Sequence, residues 1–452
     1  MKILRIITFL FLILGIFVSA CTPPQAPGAP ANPGANSANS GGQTASTVSG
    51  AVEIWHFWGS PVRRTALRRL IAICQEQLPN IQISETFKPF GDIWTANIAA
   101  VAAGTGMPGV IVENRPLLPQ RARDQIDTNL QTYIDRDKFD TSVFWPFTWQ
   151  ETLYENNSYG IPFETDVRVL IWNKQAFADA GLDPEKPPTT WDELKTYADA
   201  LDIKNDDGSY KRIGFFPLWQ AGVDFWARTN GWQQVVDGKP NYNDPAFIET
   251  LQWVKGWVDR YGGWQNIQNY AASYASPPND LFMSGATPMI VDVAGYLSQL
   301  NLYRPQAVHP DGSRENMTWG VSYIPYKKAQ ADWSGGFALS IPKGYANPDA
   351  AWEVIKCLSS SQSQESWTRD TLAIPTNQTL TNSAVLNADP FWGQIMEIMK
   401  TSQGSTYVPQ YPNFTQEADT RFEKVWTGEL TPEQMAQETQ KAIDDTMAKA
   451  GG

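Results

Sequence analysis

The chain is poor in histidine and cysteine, and that removes whole classes of chemistry. Of 452 residues only two are His and three are Cys. His56 and His309 have no second ligand at metal spacing, so no metal site is expected. A Ser or Cys nucleophile activated by a histidine base has almost no material either. No Gly-x4-Gly-Lys-Ser/Thr occurs, which excludes ATP hydrolysis by a P-loop, and no Gly-x-Ser-x-Gly elbow occurs. No cofactor is expected. Basic residues are in deficit, 35 Lys+Arg against 47 Asp+Glu, and this argues against nucleic acid or an anionic surface as partner.

A bilayer-spanning apolar run is also missing. The one long apolar stretch, Ile6 to Phe17, follows Lys2 and Arg5 and is shorter than the roughly 20 residues a span needs. It reads as the h-region of a signal peptide over residues 1–20. Val18-Ser19-Ala20-Cys21 resembles a lipobox, which would leave Cys21 as an acylated N-terminus on a membrane surface. Residues 22–50 carry no charge and no aromatic ring, and their Pro/Gly/Ser/Asn composition reads as a disordered tether. Loss of Lys2 and Arg5 leaves 33 basic residues against 47 acidic ones, a net charge of −14. Residues 51–452 are too many for one hydrophobic core, so two lobes are expected. Cys74 and Cys357 both fall at apolar positions of helical segments. Buried free thiols are the default reading, and one long-range disulfide is possible for an exported protein.

Gly104-x-Gly106-x-x-Gly109 has the spacing of a dinucleotide-binding loop, but its flanks are in the wrong order. "DIWTANIAAVAAG" before it is helical, with Trp94, Ile98 and Val101 in phase, and "VIV" after it is a strand. A pyrophosphate loop needs strand, glycines, helix, so that the phosphate meets a helix N-terminus. Gly104 instead reads as a helix C-terminal glycine.

The rest of the chain alternates strands and helices. "VEIWHFW", "IQISETF", "VRVLIWN" and "GGFALSIPKG" read as strands. "PVRRTALRRLIAICQEQLP" puts Leu67, Leu70, Ile71, Cys74 and Leu78 on one helical face. Three helix starts carry caps: Thr190 with Glu193, Asn347 before Pro348, and Thr431 with Pro432 and Gln434. This is an α/β pattern with mostly parallel sheets and helices on both faces.

The chain is rich in aromatics, with 19 Trp, 16 Tyr and 20 Phe, many beside Gly, Pro or acids. Rings flanked by planar polar side chains suit a sugar, whose apolar faces stack while its hydroxyls take paired hydrogen bonds. For any single Trp, core packing is the commoner fate.

Several stretches in chain order resemble the extracellular solute-binding proteins of ABC transporters, in the carbohydrate-binding group that includes maltose-binding protein. They are "VEIWHFWG", "AAVAAGTGMPGVIV", residues 159–201, "FMSGATPMIVDVAGYL", "GGFALSIPKGYANPDAAWEVIKCLSS" and "IPTN". The resemblance implies a two-lobed periplasmic-binding-protein-like fold of type II with the ligand between the lobes. On that basis the first lobe covers 51–163 and 303–372, the second 164–302, and 373–452 forms C-terminal helices mainly on the second lobe. The first crossover should fall near Pro162 to Arg168, with a return to the first lobe around Tyr303 to Ser322.

It further implies where ligand would be touched. Trp58, Gly59 and Ser60 follow the first strand, and Glu113, Asn114 and Arg115 follow the third. Asp166 matches an acidic sugar-binding position in the crossover, and Glu164 is either a ligand contact or a solvated hinge residue. Trp219, Asp224, Trp226 and Trp232 lie where the family has an aromatic loop. Asp292 and Tyr296 stand in a segment that departs from the family's usual Met-x3-Gly-x-Trp, and Asp292 could merely cap a turn. Gly335 and Gly336 would allow close backbone approach, with Trp333 or Phe337 as a stacking wall, and Tyr407 and Tyr411 as late aromatic contacts.

The expected function is that of a binding protein, not an enzyme. It would be a monomeric, lipid-anchored carrier on the outer face of the cell membrane that captures a carbohydrate by hinge closure and delivers it to an ABC permease. Rival readings are another solute such as glycerol phosphate or a polyamine, or a glycan hydrolase using a carboxylate pair. The basic face of the first helix (Arg63, Arg64, Arg68, Arg69) is either a permease dock or a solvated surface.

Overall fold

Strand β1 (Gly50–His56) opens the described part of the chain, and helix α1 (Pro61–Gln77) follows it after a short turn. The structure is a computed structural model, and it describes residues 48–408 and 411–450. The expected signal peptide, Cys21 and nearly all of the tether lie outside the described residues. The tether's last residue, Gly50, already pairs with Ile81 in a sheet.

The chain continues through β2 (Ile81–Phe87), α2 (Asp92–Ala103) and β3 (Val110–Asn114), then to β4 (Ile161–Thr165) and β5 (Arg168–Asn173). Helices α3 (Trp191–Leu201), α4 (Val223–Thr229) and α5 (Pro245–Arg260) precede β6 (Met289–Val293) and β7 (Trp319–Ser322). After these come β8 (Gly336–Ser340), α6 (Pro348–Leu358), α7 (Ser361–Thr371) and β9 (Ile374–Pro375). Two helices close the chain, α8 (Thr415–Thr427) and α9 (Pro432–Ala450).

Two sheets define two lobes. The first runs β9-β4-β8-β3-β1-β2, the second β6-β5-β7. β1, β2 and β3 are parallel because each is followed by a helix that carries the chain back. Val52, Ile54, Val110 and Val112 face α1 and α6 in one core, while Trp55 and Ile111 face Ile93 and Trp94 of α2 on the other side. β5 is buried on both faces, Leu170 and Trp172 against one core and Val169 and Ile171 against another. Hence its run of apolar residues lacks alternation.

Two expectations are corrected. The sheets are not mostly parallel in each lobe: β8 is antiparallel to β3 and β4, and β6 and β7 both run antiparallel to β5. Long excursions precede β6 and β7, and no single crossover helix sets their direction. The return to the first lobe is also later than Tyr303–Ser322. Trp319–Ser322 pairs with Leu170–Asn173 in the second sheet, and the chain rejoins the first only at Gly336.

The local signals held. Gly104 ends α2 in a left-handed conformation at φ 68°, and β3 follows it. Thr431 accepts the Gln434 N–H while Gln434 accepts the Thr431 N–H, a complete capping box. At α3 Thr190 accepts the Glu193 N–H, and the Glu193 carboxylate reaches back to the Thr189 N–H, one residue before the cap. Cys74 of α1 and Cys357 of α6 are joined in a disulfide, which corrects the default reading of free thiols. Among the described residues no helix is long and apolar enough to cross a membrane, and no cluster of metal-ligating side chains occurs.

Candidate functional site

Between the lobes the chain runs in two short crossovers, with a third strand, Ser402–Gln403, paired beside the second. It leaves the first sheet at Thr165 and enters the second at Arg168; it returns through Asp332–Gly335 to β8. Crossovers this short put Asp166, Arg168 and Trp333 at the base of the gap between the lobes.

Three cavities open there. One of about 380 Å³ is bounded by Asp166, Arg168 and Glu164 from the crossover, Phe90 and Phe337 from the first lobe, and Gln220 and Asp292 from the second. A second, about 420 Å³, shares Arg63, Gln220 and Asp292 with it and continues to Trp219, Asp280 and Tyr296. A third, about 310 Å³, is walled by Pro116 and Leu117 on one side, Asp224 and Phe225 on the other, and Trp333 and Tyr407. The Arg168 guanidinium lies over the Trp333 ring at 5.3 Å, so this stacked pair stands between the first and third cavities. The segment Trp219–Asp224 borders all three.

The two arginines at the base of the cleft, Arg63 and Arg168, are already paired with acids. Arg168 donates to Asp166 at 2.5 Å, and Arg63 donates to Glu164 at 2.8 Å. Glu164 also accepts the indole N–H groups of Trp58 and Trp367, so it is neither solvated nor free. Asp166 additionally accepts the Gly335 N–H at 3.0 Å. Burial pushes the Asp292 carboxyl up to about 7, opposed by the Val293 N–H that it accepts and by Arg168. Burial likewise raises Asp224 to about 6; it accepts from Tyr242 and Gln234, and its Oδ1 has no partner among the described residues.

Aromatic faces supply the apolar part. Phe337 packs on Phe57 at 4.6 Å, and Phe90 packs on Phe57 and Trp94 while leaving 65 % of its surface exposed at the cleft rim. Trp219 stacks on Tyr270. Tyr296 donates its hydroxyl to Asp280 at 2.8 Å.

Of the residues singled out in the sequence, Glu164, Asp166, Asp292, Gly336 and Phe337 come together in the first cavity, Trp219 and Tyr296 in the second, and Asp224, Trp333 and Tyr407 in the third. Others do not reach the gap. Trp58 is buried among Phe163 and Trp367, Trp226 donates its indole to the Pro217 carbonyl inside the second core, and Trp232 does the same to Asn241. Ser60 caps α1 by accepting the Arg63 N–H, and Gly59 is an exposed turn residue beside Phe87. Glu113 is fully buried next to Arg121, and Asn114 borders none of the three cavities. Arg115 is wholly buried and bonded to protein on every side. The Gly335 carbonyl accepts from Arg115 and Thr165, which ties this glycine to the hinge. Tyr411 donates to Glu417 and packs on the second core.

Phe90, Arg63, Arg168 and Gln220 were missed. Phe90 sits in a Pro-Phe-Gly turn just past the carboxyl end of the second strand, the same kind of position that pointed to 58–60 and 113–115.

The pattern of bacterial extracellular solute-binding proteins matches residues 69–391. The sn-glycerol-3-phosphate-binding periplasmic protein UgpB of Escherichia coli K12 is 23 % identical over 329 residues, covering 66 % of this chain and 69 % of that protein. Among solved structures, CpMnBP1 with mannotriose bound is 25 % identical with a TM-score of 0.76, covering 87 % of this chain and 99 % of its own. The sugar-binding protein MalE from Xanthomonas citri shares the fold at 21 % identity and a TM-score of 0.68, over 88 % of this chain and 98 % of its own. With the pattern matched over well more than half of its length, the chain belongs to the bacterial extracellular solute-binding proteins.

Proposed function

We propose that this protein captures a carbohydrate between its lobes, closes on it, and hands it unchanged to the permease of an ABC importer, held at the membrane by a lipid on Cys21. The observation that carries the choice of solute is the pairing of both arginines at the base of the cleft. Arg63 and Arg168 are each matched to a carboxylate, Glu164 and Asp166. A phosphate would need uncommitted cations or helix N-termini, and the acids that carry no ion pair, Asp224 and Asp292, are buried and pushed up to about 6 and 7, which leaves a polyamine little fixed negative charge. What remains on offer is hydrogen bonding from neutralised pairs and flat apolar faces, Phe90, Phe337, Trp219 and Trp333, which suits a neutral polyol. The sugar ligand of CpMnBP1 supports the same reading. Phe90 and Phe337 face the first cavity from one lobe and Asp292 from the other, so a sugar held by both favours the closed state over the open one.

The test is isothermal titration of the protein with mannose- and maltose-series sugars, glycerol 3-phosphate and spermidine. Saturable heat with a sugar alone is expected. Binding of the phosphate or the polyamine without any sugar would overturn the assignment.

A further inference from the structure

Arg115 follows β3 where a ligand-contacting residue would be expected, yet its side chain is 0 % exposed. Its guanidinium is fully committed. Nε donates to Glu151 at 2.5 Å, one terminal nitrogen to the Glu164 carbonyl at 3.1 Å, and the other to the Gly335 carbonyl at 2.6 Å and the Thr165 hydroxyl at 3.4 Å. Glu164 and Thr165 belong to the first crossover, Gly335 to the second. Glu151 extends the grip, because its other oxygen accepts the Ser405 N–H at 2.5 Å. Ser405 ends a segment whose Ser402 and Gln403 pair with Asp332 and Trp333. One ion pair thus holds all three strands of chain that run between the lobes.

The approach is built in at two glycines. A Cβ on Gly336, whose φ is 127°, would lie 2.7 Å from the Arg115 guanidinium and collide with the Glu164 carbonyl. A Cβ on Gly404 would lie 2.7 Å from Glu151. From the second lobe a separate group holds the same strands: Asp332 accepts the Arg168 N–H and the Ser402 hydroxyl. Between the two grips lie Asp166–Val167, Trp333–Ser334 and Gln403–Gly404. These are laced together by Ser334, which donates its N–H to Gln403 and its hydroxyl to the Asp166 carbonyl.

We propose that Arg115, with Glu151, is a positioning residue of the hinge that fixes the first-lobe ends of the crossovers and confines bending to the short stretch between itself and Asp332. This rests on the reading of solute capture by lobe closure. The fork geometry explains why the residue is Arg: a planar guanidinium reaches a carboxylate and two carbonyls in fixed directions, which a lysine cannot do. It also explains why a residue at a ligand-type position touches no cavity. It acts on solute through Asp166, whose backbone and carboxylate are laced to the strands that it holds.

Hydrogen exchange followed by mass spectrometry on the full chain without solute tests this, using Arg115→Met and the isosteric Glu151→Gln, which keeps the proposal testable if the first fails to fold. The expected result is at least tenfold faster exchange in peptides covering 164–168, 333–336 and 403–406. Peptides from β2 and from residues 169–173 should match the parent. Unchanged exchange in the crossovers of a folded variant overturns the proposal, and so does faster exchange spread evenly through both lobes, which would mark a merely stabilising ion pair. Neither arm requires a sugar, so failure here is distinct from failure of the carbohydrate assignment.

Discussion

The indole N–H of Trp367 donates to the Glu164 carboxylate over 2.7 Å, from a helix of the first lobe to the strand that leaves it. Trp58 and Arg63 donate to the opposite oxygen. Three donors thus converge on one buried acid, and removing it strands two indole N–H groups in an apolar setting.

Glu164→Ala is therefore expected to lower unfolding free energy by about 3 kcal/mol, the range for breaking a buried charged network. Arg63 keeps a quarter of its side chain exposed and can be rehydrated, which holds the loss to the lower part of that range. Urea denaturation followed by tryptophan fluorescence measures it. A stability within 0.5 kcal/mol of the parent would show that the network is not structural.

Asp166 and Trp226 should separate binding from folding. Asp166→Asn keeps an acceptor for the Gly335 N–H but loses the charge that pairs with Arg168, and sugar affinity should fall by about 1–3 kcal/mol. Trp226→Ala should cost about 3–5 kcal/mol of stability, because the ring is fully buried among Phe215, Phe225 and Trp253. Titration and urea melts on both variants decide the point. A Trp226→Ala protein of parental stability with lost binding would return that ring to the site.

The fate of Trp226 illustrates what was legible in the sequence. β2 and the Thr431 cap were both read residue for residue, because alternation and capping are decided within a few residues. The two-lobed class followed from length and from the resemblance. Trp58, Trp226 and Trp232 were placed at the ligand by the resemblance alone, and the structure buries all three in the cores. Here each indole N–H found an internal partner, and each ring was free to be buried. Strand direction in the second lobe and the pairing of Cys74 with Cys357 depend on contacts more than a hundred residues apart, where local pattern carries no information.

The disulfide gives a prediction confined to the first lobe. It joins α1 to α6 across a sequence separation of 283 residues, so it restricts the unfolded chain over most of its length. Cys74→Ser with Cys357→Ser should lower stability by about 2–5 kcal/mol and make melting insensitive to reductant. The parent should melt lower when reduced. Sugar affinity below the melting range should not change, since neither residue borders the cleft.

Asp332 should make stability depend on pH in a direction opposite to that of most acids. It is 1 % exposed, and burial pushes its carboxyl up to about 8, with Asp166 adding to the rise and Arg168 opposing it. An unfolded Asp loses its proton near pH 4, while the folded one keeps it to about 8, so between these values the native state binds more protons. The contribution is fully present below the unfolded pKa and is lost as pH rises through the folded one. Asp292, raised to about 7, acts in the same direction. His56 acts in the opposite one, since burial lowers its pKa and stability is lost as pH falls. Only a difference between variants therefore isolates Asp332. Asp332→Asn keeps an oxygen for the Arg168 N–H but cannot titrate, and its melting temperature should gain on the parent's steadily from pH 5 to pH 8. Parallel melting curves across that range would mean that the buried acid does not titrate there.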